Sequence, residues 1–139
     1  MNGTGIITWT NVSLRAVDAF YLYLHLNAFR DPGTLFLRGS GGRMRGASYA
    51  GPGGIDLTRL SVDGKDALER VEPSETWVRV PLERPVAPGA SVELGVSWVA
   101  RLPPIFARTG WHGSFHLVAQ WFPKLPLLAR DGPWQLRER

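Results

Sequence analysis

Two histidines stand four residues apart in His112-Gly113-Ser114-Phe115-His116. On a helix that spacing puts both imidazoles on one side of a metal ion. The residues between them argue otherwise. Gly113 occupies the place where a zinc-peptidase helix carries its general-base glutamate, and the context reads as strand. The third histidine of the chain is His25, too few imidazoles to make a ligand set compelling, so structural or solvent-facing histidines are the better reading. Gly39-Ser40-Gly41-Gly42-Arg43-Met44-Arg45-Gly46 could cradle a phosphate, but it lacks Gly-Lys-Ser/Thr and opens no convincing helix whose N-terminus could face an anion. No serine sits in a Gly-x-Ser-x-Gly elbow, and no Ser/His/acid grouping is suggested by spacing. The carboxylate pairs Asp63/Asp66 and Glu69/Glu72 fall in turns and alternating surface positions, where solvated charge is the default. Tyr21, Tyr23, Trp77 and Trp111 could line a sugar-binding face, although aromatics at period two are more often core than platform. No catalytic motif and no metal site survives.

Composition bounds what remains. The chain has 139 residues, 44% hydrophobic and 20% charged, which suits one soluble globular domain with a real core. Gly 16 and Pro 11 favour short strands and turns over long helices. Cysteine is absent, which removes disulfides, thiolate metal sites and a cysteine nucleophile and leaves the redox compartment open. Net charge is +4, mostly from scattered arginines. Nucleic-acid binding would explain it, but the acids are interleaved and no basic block or recognised motif appears. No apolar run is long enough to span a membrane. Met1-Asn2-Gly3-Thr4-Gly5 has neither the basic region nor the apolar core of a signal peptide, so the expectation is cytoplasmic by default.

The elements that would position any site are strands. Ala19–Phe29 alternates Phe20, Leu22, Leu24, Leu26 and Ala28 against Tyr21, Tyr23, His25, Asn27 and Phe29, as in a central strand covered on both faces. Val92, Leu94, Val96 and Trp98 point inward from a strand with one wet face. Trp77–Leu82 alternates likewise, with Pro81 demanding an edge or a strand end. Gly5–Asn11 is strand-like, and Ile55–Val62 leads into the hairpin signal Asp63-Gly64 with a return strand over Ala67–Val71. Arg84–Gly89 reads as a turn, and Phe115–Phe122 as the last strand. The one helical candidate lies between Pro32 and Arg38. Gly39–Gly54 is a flexible surface loop. The fold expected is all-β: a single antiparallel, saddle-like or sandwich domain over 1–139, with about seven or eight strands.

Five segments carry a family resemblance together. Thr8-Trp9-Thr10-Asn11-Val12-Ser13 precedes Tyr23-Leu24-His25-Leu26-Asn27-Ala28-Phe29-Arg30. Pro81-Leu82 and Pro85-Val86-Ala87-Pro88-Gly89 follow, and then Leu117-Val118-Ala119-Gln120-Trp121-Phe122-Pro123-Lys124. Together they resemble the N-terminal β domain of zinc metallopeptidases of the membrane alanyl aminopeptidase (gluzincin) family, bacterial type. The resemblance covers nearly the whole chain. It implies a non-catalytic domain that packs on a thermolysin-like catalytic domain and helps wall its peptide cleft. Zinc belongs to the full-length family: this sequence has no His-Glu-x-x-His, no downstream glutamate ligand and no Gly-x-Met-x-Asn motif, so no cofactor is expected on it. Relatives usually carry a strand before Gly5–Asn11, so the chain reads as shortened at both ends.

Within that resemblance, Gln120, Trp121, Phe122, Leu125, Leu127, Leu128 and Trp134 form the expected cleft or interdomain surface. A glutamine of this domain contacts substrate in some relatives, but the spacing of Gln120 does not match it, which favours a structural role. Pro123 and Pro126 should end the last strand and throw the leucines outward along an extended segment. The partner expected is a metallopeptidase catalytic domain or a separate chain carrying one, with homodimerisation through an exposed apolar patch as a further expectation. The alternative, from another class, is a stand-alone β-sandwich module that binds peptide, glycan or protein.

Overall fold

A computed structural model of the chain describes residues 1–44, 47–131 and 133–137. Among them the long strands are β1 (Asn2–Thr10) and β2 (Val17–Tyr23), then, after the two-residue strands β3 (Arg43–Met44) and β4 (Ala47–Ser48), β5 (Gly54–Val62). Two more short strands, β6 (Lys65–Asp66) and β7 (Glu72–Pro73), precede the long β8 (Trp77–Val86) and β9 (Ser91–Arg101). The chain ends in β10 (Gly110–His112), β11 (Phe115–Leu117), β12 (Leu127–Leu128) and β13 (Trp134–Gln135). One short helix, α1 (Leu35–Ser40), and 3-10 turns at His25–Phe29 and Leu68–Arg70 complete the described residues. All named strands pair antiparallel, so the all-β expectation is met.

Two sheets make the sandwich. The first has the order β1-β9-β5-β6 and the second β2-β8-β7. Period two does the work in β9: Val92, Leu94, Val96, Trp98 and Ala100 are buried while Ser91, Glu93, Val99 and Arg101 are exposed. Phe20, Leu22, Val78 and Val80 of the second sheet bury with them in one cluster. The Asp63-Gly64 hairpin forms with both residues at positive φ, 48° and 82°, as a two-residue primed turn requires. Pro81 sits where β7, which reaches only Arg79 and Val78, has already stopped pairing with β8. Its missing N–H therefore costs no bond on that side.

Five expectations need correction. The strand from Ala19 ends at Tyr23 and continues as a 3-10 turn over His25–Phe29. Side chains take over there: the Asn27 carbonyl oxygen accepts the Ile55 N–H at 2.9 Å, and the Thr34 hydroxyl donates to Ala28 O at 2.6 Å. The return strand at Ala67–Val71 is limited to Lys65 and Asp66, because the Asp66 carboxylate captures the Leu68 N–H and starts a 3-10 turn. At Arg84–Gly89 the strand β8 runs on through Val86, and the turn is confined to the residues around Gly89 at φ 82°.

The segment Phe115–Phe122 is strand only as far as Leu117. Thr109, itself buried, holds the backbone that a neighbouring strand would otherwise hold: its hydroxyl lies 3.2 and 3.1 Å from the Leu117 and Ala119 carbonyls and accepts the Ala119 N–H. Gln120 then takes φ 58°, which ends any alternation. Within Gly39–Gly54, β3 pairs with β4, Met44, Ala47 and Tyr49 pack against the core, and the Tyr49 hydroxyl donates to Phe29 O. Arg45 and Gly46 of the phosphate-loop candidate lie outside the described residues.

Candidate functional site

The candidate surface was expected at Gln120–Trp134, and from Gly110 onward the chain divides into a part that projects from the sandwich and a part that seals it. The sealing part begins at Trp121. Its carbonyl accepts the Trp98 indole N–H at 2.9 Å, and the two rings lie 5.8 Å apart. Gly3 lies opposite Trp98 in the sheet, and a Cβ there would stand 2.2 Å from the Trp98 ring. That close approach needs glycine. Lys124 exchanges both backbone hydrogen bonds with Tyr23, 2.7 and 3.2 Å. The segment thereby adds one rung to the free edge of β2, the outer strand of the second sheet.

Trp134 finishes the seal. Its indole N–H donates to Ala19 O at 2.8 Å, and its ring lies 5.7 Å from both Trp9 and Phe20 and 6.4 Å from Tyr21. Trp9 comes from β1 and Phe20 from β2, so Trp134 bridges one strand of each sheet at the open side of the sandwich. Tyr23 donates from its hydroxyl to Gln135 O and accepts the Arg137 N–H at 2.6 Å. Pro123 and Pro126 are buried, and of the three leucines expected to be thrown outward Leu125 packs against the core and Leu128 is half-buried, leaving Leu127 as the one that projects. Of the seven residues, only Phe122 and Leu127 are large apolar groups left exposed, Leu127 at 68%. Gln120 accepts a 2.6 Å hydrogen bond from Lys124 Nζ, and that ammonium lies 5.0 Å over the Phe122 ring.

The projecting part is the hairpin β10–β11. Its register sets Gly110 opposite Leu117, Trp111 opposite His116 and His112 opposite Phe115. Since neighbours alternate faces, Trp111 and His116 share one side and His112, Phe115 and Leu117 share the other. His112 and His116 therefore point to opposite faces of the ribbon and cannot meet on one ion. Both faces carry apolar groups in water: Trp111 is 43% exposed and Phe115 58%, with Leu117, Val118 and Ile105 also exposed in or next to the hairpin. The hairpin is anchored at its base. Gly110 at φ 140° lets the backbone pass Ile105, where an added Cβ would come within 2.4 Å of the Ile105 Cα. Ile105 N donates to Trp111 O and Trp111 N to Pro103 O. The anchored hairpin thus carries an exposed aromatic on each face. In the sequence, Phe115 starts a strand expected to run to Phe122 and Trp111 counts only as a sugar-face or core aromatic, so nothing there joins the two in one hairpin.

The remaining candidates are absorbed by structure. Asp63 accepts the Glu93 N–H, Asp66 the Leu68 N–H, and Glu72 pairs with Arg79 at 3.0 Å. That pairing is the main reason the Arg79 guanidinium is held above its ordinary value. Tyr21 stands edge-on to Trp77 at 5.4 Å, and Tyr23 stacks on His25 at 4.6 Å, so these rings face each other rather than a ligand. Among the described residues no three His, Asp or Glu side chains gather where a metal ion could be held. Among those residues no helix is long and apolar enough to cross a membrane. No protein family, curated protein or solved structure matches the chain.

Proposed function

We propose that this chain is a non-catalytic β domain that docks on a zinc-peptidase catalytic domain and helps shape its peptide cleft. One observation carries the docking half of this reading: an anchored hairpin that holds Trp111 and Phe115 in water on opposite faces. Exposed aromatics of this kind supply contact area at low conformational cost and are enriched at interface centres. The choice of a peptidase as the partner rests on the segment resemblance, above all Asn27-Ala28-Phe29-Arg30 and Gln120-Trp121-Phe122-Pro123-Lys124. The candidate surface shifts accordingly, from Trp121, Leu125 and Trp134, which serve the core, to Trp111, Phe115, Leu117 and Phe122. The chain itself does no chemistry on this reading, and zinc is held by the partner.

The test is calorimetric titration of the chain into an isolated gluzincin catalytic domain, alongside hydrolysis of aminoacyl-aminomethylcoumarin substrates. The native chain binds and the Trp111→Ser/Phe115→Ser variant does not. The chain alone hydrolyses nothing with or without zinc. Zinc-dependent hydrolysis by the chain alone would sink the non-catalytic assignment, and equal binding by the variant would sink the hairpin as the contact.

A further inference from the structure

The two sheets are finished differently at their edges. The free edge of β2 is capped by Lys124 and Trp134. Among the described residues, the free edge of β1, nine residues long, has no such cover. Met1 and Ala100 exchange both backbone hydrogen bonds, N to O at 2.7 Å in each direction. In an antiparallel ladder, alternate residues turn their backbone groups to the same neighbour. The odd residues of β1, Gly3, Gly5, Ile7 and Trp9, therefore bond to β9. The even residues Asn2, Thr4, Ile6, Thr8 and Thr10 turn their N–H and C=O outward. No described residue bonds to those outward groups.

The same strand lacks the usual protection of an exposed edge. Asn2-Gly3-Thr4-Gly5-Ile6-Ile7-Thr8-Trp9-Thr10 holds no charge and no proline. Ile6 stands at its midpoint and is 68% exposed. Because the midpoint is an even residue, the strand is self-complementary. A two-fold axis through Ile6 sets Ile6 against Ile6, Thr4 against Thr8 and Asn2 against Thr10. Every pair then joins residues whose backbone groups face each other.

We propose that β1 pairs antiparallel with β1 of a second copy about a two-fold axis at Ile6. The first sheets of the two copies become one continuous sheet through up to about ten backbone hydrogen bonds. On the outer surface the pair places two isoleucines side by side at the axis. Hydroxyls flank them, already tied within each chain as Thr4 to Ser97 at 3.1 Å and Thr10 to Ser91 at 2.7 Å. No like charges meet anywhere along the seam. The hairpin used for docking belongs to a different strand pair, so this assembly and the docking reading stand or fall separately.

The absence of native cysteine makes the register directly readable. Across a hydrogen-bonded antiparallel pair the Cα atoms are about 5.5 Å apart, within the range a disulfide spans. Ile6→Cys should therefore cross-link to itself under mild oxidation. Thr8→Cys should not, since Thr8 faces Thr4 of the second copy and its own mate lies about 13 Å along the seam. By light scattering at millimolar concentration the native chain should show twice the chain mass. Ile6→Lys, a change at an exposed side chain checked for folding by circular dichroism, should halve it. A native chain of single mass, a folded Ile6→Lys chain that stays double, or a Thr8→Cys chain that cross-links as readily as Ile6→Cys would overturn the proposal.

Discussion

Replacing Trp134 by alanine tests whether the terminal segment closes the sandwich. The side chain is half-buried and meets Trp9, Phe20 and Tyr21 at 5.7, 5.7 and 6.4 Å. Complete burial of a tryptophan would make the truncation cost about 3–5 kcal/mol, and partial exposure argues for the lower end. The lost indole bond to Ala19 O contributes about 1 kcal/mol of that. An expected loss near 3 kcal/mol follows, with Trp134→Phe losing about 1 to 1.5 because a ring still fills the gap. With a urea slope of about 2 kcal/mol per molar, Trp134→Ala should lower the denaturation midpoint by roughly 1.5 M and leave the slope unchanged. A drop below about 0.25 M would mean that the segment lies loosely on the sandwich and that its aromatics are free for another partner.

Two further predictions use the interior. Asn11 is fully buried, with its amide donating to Arg15 O and Val86 O at 2.7 and 2.9 Å and its oxygen accepting from Ser13 N and Ser13 Oγ. Asn11→Ala should cost about 3 kcal/mol, since it strands several buried partners, and Asn11→Asp more, by aiming a carboxylate at two carbonyls; urea unfolding reads both. The Tyr49 hydroxyl is held above its ordinary value of 10.0, chiefly by burial and then by the nearby Asp31 charge. The folded state thus keeps that proton longer than the unfolded state. The resulting stabilisation is full below pH 10.0 and is lost as pH rises through the folded value, so Tyr49→Phe should flatten the alkaline fall in unfolding midpoint. An unchanged alkaline profile would remove Tyr49 from that account.

The strand β9 was the most legible because it has one buried face and a period to match. Val92 to Trp98 needed nothing beyond alternation, and Ile55 to Val62 was found from its composition and the Asp-Gly turn although its register shifts between Leu57 and Arg59. The errors share a cause. At Leu24–Phe29, at Leu68 and at Ala119, buried or capping side chains (Asn27, Thr34, Asp66, Thr109) hold backbone groups that alternation alone assigns to a neighbouring strand. Which polar residue reaches which backbone atom is decided by tertiary contact and leaves little trace in hydrophobic pattern. The surface was misplaced for the same reason. Trp134 and Trp121 look like stranded aromatics in one dimension, yet they fill the open side of the sandwich, while Phe115, read as a strand residue, and Trp111, read as more often core than platform, stand in water.

The central claim is that the β10–β11 hairpin meets a peptidase catalytic domain, and a photo-cross-linker placed at position 115 tests it most directly. Irradiation with the catalytic domain present should give a heterodimeric adduct from position 115 and none from position 10, which lies on the outer face of the sandwich. Adducts of equal yield from both positions, or none from position 115, would contradict the account.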